Sequence, residues 1–175
     1  MQLTLQQKYL LDLLKKLGYA RRDQLYVFAS MQDQLPGGCI KPEHVDAMLR
    51  QLRHCVTEVR LDGNFVFYGR DSPDISLLEA VDIMLELTGG SPLDFRLEHD
   101  AALLLRFTYE SEGKIRLFGV ARYLEGHPIT ARHTERIVFL VDKGGIPTGL
   151  VLPYRHFFAL RQEDGTHRFF ANGDQ

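Results

Sequence analysis

The sequence predicts an α+β protein of two domains, and three observations lead to this prediction. An amphipathic helix runs directly into a β-hairpin between residues 41 and 68. A second amphipathic helix and a series of strand-like segments follow a break at residues 69–72. At 175 residues the chain can hold one large domain or two small ones. We therefore predict domains at residues 1–70 and 71–175.

The helix that begins at Pro42 organises the first domain. Proline suits the first helical position, where its missing N–H needs no partner. The apolar residues are spaced as on one face of a helix and are Val45, Met48, Leu49, Leu52 and Val56. The opposite face carries side chains suited to phosphates and base edges, which are His44, Arg50, Gln51, Arg53 and His54.

A β-hairpin is predicted directly after this helix. Two β-prone runs, residues 56–61 and 64–68, flank Asp62-Gly63, which is the strongest short-range hairpin signal in a sequence. A basic-faced helix followed by a hairpin is typical of the second half of a winged helix-turn-helix, in which this helix reads DNA. Arg60, in the hairpin, joins the five helix residues as a candidate DNA contact.

Two shorter helices are predicted ahead of the basic-faced one. Thr4 and Gln7 have capping-box spacing at the start of the first, and Gly18 suits its end. The second runs from Arg21 or Arg22 to Ala29, and a loop over residues 30–40 follows. Three helices and a hairpin complete the elements of a winged helix.

In the second domain, Ser72 and Pro73 suit the start of a helix that continues to Leu87. Strands are predicted at residues 94–99, 102–110 and 114–123, a loop with a short helix at 125–135, a central strand buried on both faces at 136–142, and a closing hairpin from 154–161 and 167–171. This order is that of the core of restriction-endonuclease-like nucleases.

Such a core needs an acidic residue on its second strand and Glu-x-Lys on its third to hold a divalent metal. The predicted second strand offers Arg106 instead, and the Glu112-Gly113-Lys114 sequence falls in a turn. Asp142 ends a strand before Gly-Gly, which is more typical of a turn than of a metal ligand. We therefore expect a catalytically empty, nuclease-like domain that is not an enzyme and has no catalytic residues, metal or cofactor.

Composition adds two expectations. No apolar run approaches the roughly 18–20 residues that span a membrane, and the N-terminus lacks a secretory signal, so we expect a cytoplasmic protein without membrane contact. Residues 1–70 carry ten Lys/Arg against seven Asp/Glu, whereas residues 71–175 carry eleven against sixteen. A mildly basic first half is compatible with nucleic-acid contact.

Four stretches, residues 17–25, 45–54, 78–87 and 116–121, carry a family resemblance. Through them the chain resembles, over nearly its whole length, an uncharacterised family of accessory proteins from bacterial conjugative and other mobile elements. Its architecture is similar to that of plasmid replication-relaxation proteins, which resemble a winged helix joined to a nuclease-like domain without a working site. The resemblance implies a role in DNA transactions.

The sequence thus predicts a DNA-binding accessory or regulatory protein of a mobile genetic element, acting by binding rather than by catalysis. Double-stranded DNA is the expected partner, with a replication or transfer protein and a second copy of the chain as further candidates. One alternative is a protein–protein interaction adaptor whose winged helix no longer binds DNA. A metal-dependent nuclease is the third.

Overall fold

The computed structural model describes residues 2–31, 40–69, 72–142 and 151–171. These residues form an α+β structure with four helices and two sheets. The chain divides into two compact units, Met1–Asp74 and Ile75–Gln175. The boundary predicted from the sequence was four residues earlier, after residue 70. We call them the first and second units. The loops predicted around Pro36 and Gly144, and part of the break at residues 69–72, lie outside the described residues.

Three helices form one part of the first unit: α1 (Leu5–Leu17), α2 (Arg22–Ser30) and α3 (Pro42–Cys55). The capping box predicted for α1 is confirmed. The Gln7 backbone N–H donates to the Thr4 hydroxyl at 3.2 Å, and the Thr4 N–H donates to the Gln7 side chain at 2.9 Å. The predicted apolar face of α3 is confirmed for Val45, Met48, Leu49 and Leu52, which are buried, whereas Val56 follows the end of the helix and is half-buried.

The first unit also holds a three-stranded antiparallel sheet in the order β1-β3-β2. Its strands are β1 (Tyr19–Arg21), β2 (Val59–Asp62) and β3 (Phe65–Tyr68). The predicted hairpin is confirmed: Asp62 pairs with Phe65, and Gly63 adopts a φ of 55°, which glycine accommodates without strain. Strand β1 was not predicted, because its three residues are too few to show an alternating pattern.

The second unit begins with α4 (Ile75–Thr88) and continues as a six-stranded sheet. The helix starts two residues after Pro73, so its predicted start was too early. The strands are β4 (Asp94–Leu97), β5 (Leu103–Ser111), β6 (Lys114–Arg122), β7 (Arg136–Val141), β8 (Arg155–Arg161) and β9 (His167–Phe170). They lie side by side in chain order; β7 is parallel to both neighbours and the remaining pairs are antiparallel.

The prediction of a short helix within residues 125–135 is wrong. All of this segment is described, and it holds no helix. Gly126 and Thr134 have φ values of 78° and 66°, which no α-helix accepts, and Pro128 lacks a backbone donor. Instead the segment packs the side chain of Ile129 against a cluster that includes Ile137. The central strand is confirmed, since β7 lies between two strands and is largely buried.

Candidate nucleic-acid interface

The six side chains predicted to contact DNA all belong to the first unit, and all are exposed. Five lie on α3 and Arg60 lies on β2. Successive helix residues are about 100° apart, which places Arg50 and His54 directly opposite the buried face. Glu43 lies on the same outward strip, one turn or more towards the N-terminus. The outward strip of α3 is therefore mixed in charge, with its positive end at the C-terminus.

Asp46, on one flank of α3, accepts hydrogen bonds from two residues of α2. The Arg22 guanidinium donates to the Asp46 carboxylate at 3.2 Å, and the Tyr26 hydroxyl donates to the same oxygen at 2.8 Å. This carboxylate is half-buried and faces a positive charge of its own unit. Its negative charge is thereby offset close to the exposed Arg50 and Arg53.

The other flank is tied to α1 through Gln51. The side-chain N–H of Gln7, a buried residue, donates to the Gln51 carbonyl oxygen at 2.5 Å. This contact anchors α3 against α1 and engages the acceptor that Gln51 would offer to a base. Among the six predicted residues, Gln51 thus has a packing role that the sequence analysis did not foresee.

Arg60 lies against an aromatic ring in the hairpin. It pairs across the strands with Phe67, and its guanidinium carbon lies 4.9 Å from the centre of that ring. Phe67 itself is buried. The exposed acids Glu58 and Asp62 lie on either side of Arg60 in sequence. The hairpin therefore presents one ordered cation between two carboxylates.

The second unit contains a charge cluster that was not predicted, formed by Glu98, Arg106 and Glu135. The Arg106 guanidinium donates to Glu135 at 2.7 Å, to Glu98 at 3.1 Å and to the Thr130 carbonyl at 2.8 Å. The Glu135 side chain is fully buried, and the Arg106 side chain is 11% exposed. Burial by itself would lower the pKa of Arg106, but the bonds and charges of the two carboxylates outweigh it and raise that pKa.

Because Gly119 has no side chain, the Glu135 carboxylate has room beside β6. A Cβ atom at residue 119 would meet the Ile137 Cδ1 atom at 2.8 Å and the Glu135 Oε1 atom at 3.1 Å. Arg106 pairs with Gly119 across β5 and β6, so the glycine also lies opposite the arginine that neutralises this carboxylate. A signal for the cluster did exist in the sequence, since an arginine inside an apolar strand needs a buried anion.

A second cluster joins α4 to β9. The ring of His167 is fully buried, with its Nδ1 atom 2.7 Å from Glu86 and its Nε2 atom 3.2 Å from Glu79. The His167 backbone N–H also donates to Glu86 at 3.0 Å. Burial alone would lower the pKa of His167, but the two carboxylates raise it above its usual value. The histidine thus fastens the helix to the last strand of the sheet.

The carboxylates that the sequence analysis weighed for metal binding lie at the surface. Glu112 lies in the turn between β5 and β6, with a φ of 54° and an 82% exposed side chain. Asp142 follows β7 directly and is exposed. Within residues 2–31, 40–69, 72–142 and 151–171, no group of three or more His, Cys, Asp or Glu side chains could hold a metal ion.

Comparison with protein-family models, with curated proteins and with solved structures finds no match to this chain. In the described part of the chain, no helix is long and apolar enough to cross a membrane.

Proposed function

We propose that the chain is a DNA-binding accessory or regulatory protein that acts by occupying its site rather than by turnover. In this proposal the first unit is a winged helix-turn-helix, α3 is its recognition helix, and β2 and β3 form its wing. The family resemblance adds that the protein serves a mobile genetic element. Double-stranded DNA is its partner, and a replication or transfer protein and a second copy of the chain are further candidates.

One observation carries the proposal. Arg50 and His54 are exposed on the side of α3 opposite its buried face, and a hairpin bearing the exposed Arg60 begins four residues after this helix ends. A recognition helix needs its cationic side chains on the face turned away from its own core. Because Arg22 offsets Asp46, the nearest carboxylate on the flank of α3 opposes these cations less strongly.

Action by binding is supported by the state of the carboxylates in the second unit. Arg106 stands on β5, the strand on which a nuclease-like core would need an acidic residue, and it bonds to both Glu98 and Glu135. A carboxylate that already bonds to a guanidinium has less capacity to bind a cation. The second unit is therefore proposed as a degenerate nuclease-like domain that positions or docks rather than cleaves.

A salt titration of duplex binding tests the proposal. The wild-type chain and the variant Arg50→Ala/Arg53→Ala/Arg60→Ala are compared on duplex fragments from the protein's own genetic neighbourhood. Each phosphate contact contributes about −0.9 to the slope of log affinity against log salt, so a small interface predicts modest, strongly salt-dependent binding. The variant should bind more weakly and with a shallower slope. Absence of wild-type binding at about 50 mM salt, or equal binding by the variant, contradicts the proposal.

A protein-interaction adaptor is the second candidate, and the charge of the same surface favours it. Glu43 lies on the outward strip of α3, and Glu58 and Asp62 flank Arg60 in the hairpin. Like charges on protein and phosphate repel, so these acids reduce duplex affinity. The variant Glu43→Gln/Glu58→Gln removes two of these acids. If the wild type does not bind duplex and this variant does not bind it either, the adaptor is favoured over a DNA-binding protein.

A further inference from the structure

Three arginines lie in a row across one face of the second unit's sheet. Arg136 of β7 pairs with Phe118 of β6 on one side and with Arg155 of β8 on the other. Arg116 lies two residues before Phe118, so its side chain leaves the sheet on the same face. We call Arg116, Arg136 and Arg155 the arginine row.

The backbone and one aromatic ring fix the geometry of the row. Neighbouring strands are about 4.8 Å apart and Arg116 is offset by two residues, or about 7 Å, along β6, so the row extends over roughly 12 Å across three strands. The Arg136 guanidinium carbon lies 5.6 Å from the centre of the Phe118 ring, which is itself buried. A cation held over an aromatic face has fewer conformations to lose when it binds a ligand. The central arginine is therefore partly preorganised.

The row differs from Arg106 in having little negative charge of its own. Glu112 contacts Arg116 at 3.4 Å, but this carboxylate is 82% exposed. Among the described residues, neither Arg136 nor Arg155 forms an ion pair with a carboxylate. Burial, and then the positive charges of Arg116 and Arg155, lower the pKa of Arg136. Three mutually repelling cations on one face are stabilised when an external anion binds between them.

We propose that the arginine row binds the phosphodiester backbone of nucleic acid, as a second contact surface in addition to α3. The inference rests on the proposed function and deepens it. A guanidinium presents a planar fork of donors that matches phosphate oxygens, and arginine is favoured over lysine for this reason. Phosphates of one strand advance about 3.4 Å along the helix axis and also wind around it, so a row of roughly 12 Å meets about two to three of them.

The layout of the row favours a backbone over a small phosphate ligand. Its arginines stand on three neighbouring strands, with Arg116 two residues away from the register of Arg136 and Arg155, so their backbone positions do not surround a single point. Phosphate contacts of this kind carry no sequence information. The row therefore adds affinity and orientation, and base recognition stays with α3.

The test compares two double variants of the full chain that lose the same charge. Arg136→Gln/Arg155→Gln removes two members of the row, and Arg161→Gln/Arg168→Gln removes two exposed arginines from the far end of β8 and from β9. Arg161 lies six residues from Arg155, or about 20 Å along the strand. Affinity for a duplex and for a single strand is measured against salt, and urea unfolding checks that each variant is folded.

The row variant should bind at least about tenfold more weakly, with a slope shallower by roughly 1.8 on duplex, while the control pair stays close to wild type. A second variant, Arg136→Lys/Arg155→Lys, keeps the charge and should keep most of the slope while losing the affinity that the guanidinium forks supply. It replaces the Gln variant if that one proves unfolded.

Three results would overturn the inference. If the row variant binds as wild type while Arg50→Ala/Arg53→Ala binds weakly, the proposed function stands and the row is not a contact surface. If both charge-matched variants weaken equally, only net charge matters. If the wild-type chain binds neither duplex nor single strand at about 50 mM salt, the inference fails together with the function on which it rests.

Discussion

The arginines of α3 and Arg106 of the second unit differ in their exposure and in their partners. Arg50 and Arg53 project into solvent, and their removal leaves no buried group behind. Arg106 is 11% exposed and bonds to Glu135, whose side chain is fully buried. An exposed charge contributes little to folding stability and remains available to a partner. In a buried pair, removal of one partner leaves the other charge buried and uncompensated, which destabilises the fold.

This difference separates the arginines proposed to recognise a partner from the arginine that maintains the fold. Substitution at an exposed site should alter binding and leave unfolding unchanged. Substitution at a buried pair should alter unfolding first, and any loss of binding would follow from the loss of folded protein. The two effects can be measured separately, and four predictions apply that distinction.

The largest effect is expected at Arg106. Arg106→Leu leaves Glu135 buried without a counter-charge, and breaking a buried pair from one side costs about 3–5 kcal/mol. The free energy of unfolding, measured by urea titration followed by circular dichroism, should fall by this amount. Arg96→Gln is the matched control: Arg96 also bonds to Glu98, at 2.6 Å, but its side chain is 52% exposed. The control should cost less than about 1 kcal/mol. Equal effects would show that burial does not set the cost.

The next effect is a pH dependence set by His167. Its pKa is raised above the unfolded value of 6.5 because Glu79 and Glu86 favour the protonated ring over the opposing effect of burial. A raised pKa stabilises the fold fully below the unfolded pKa, and this contribution is lost as the pH rises through the folded-state pKa. His167→Gln should therefore cost about 1–3 kcal/mol near pH 6 and progressively less towards about pH 9.

The control for this prediction is His133→Gln, because His133 is exposed and lies in the loop before β7. Its stability difference from wild type should stay near zero across the same pH range. A wild-type stability that rises with pH relative to the His167 variant would reverse the expected sign and contradict the prediction.

Local patterns in the sequence were enough to predict most elements of the fold. The capping box at Thr4, the apolar face of α3 and the hairpin at Asp62-Gly63 depend on residues a few positions apart, so the sequence displays them directly. The central position of β7 could also be predicted, because a continuous apolar run indicates burial on both faces.

Features that depend on distant residues could not be predicted in this way. Glu135 and Arg106 are separated by 29 positions, and His167 and Glu79 by 88. The arginine row needs the parallel register of β6, β7 and β8, which no local pattern displays. The packing role of Gln51 was hidden for the same reason, since Gln7 lies 44 positions away.

Gln51 gives the third prediction because it lies on the proposed DNA surface and also takes part in packing. Gln51→Ala leaves the buried Gln7 N–H without its acceptor, which should cost about 1–2 kcal/mol of unfolding free energy. Gln51→Glu keeps an acceptor and adds a negative charge. It should retain the stability and still weaken duplex binding, as seen in paired urea and salt titrations. A loss of stability in both variants would mean that the interhelical bond is not what Gln51 contributes.

The smallest effects are expected at the arginines of the proposed DNA surface, and they need not be equal. Arg50→Ala and Arg53→Ala remove exposed side chains and should each change the free energy of unfolding by no more than about 0.5 kcal/mol. Arg60→Ala also removes a cation that lies 4.9 Å from the Phe67 ring. An exposed contact of this type contributes about 0.5–1 kcal/mol, so Arg60→Ala should be the most destabilising of the three.

Arg60→Lys separates stability from binding at this last position. Lysine keeps a positive charge for phosphate but lacks the planar group that stacks on an aromatic ring. The Lys variant should therefore retain most of the salt slope of duplex binding while losing part of the stability. If Arg60→Ala is as stable as Arg50→Ala, the ring does not hold the arginine in solution. Arg60 would then resemble the α3 arginines, as a mobile charge that only a partner orders.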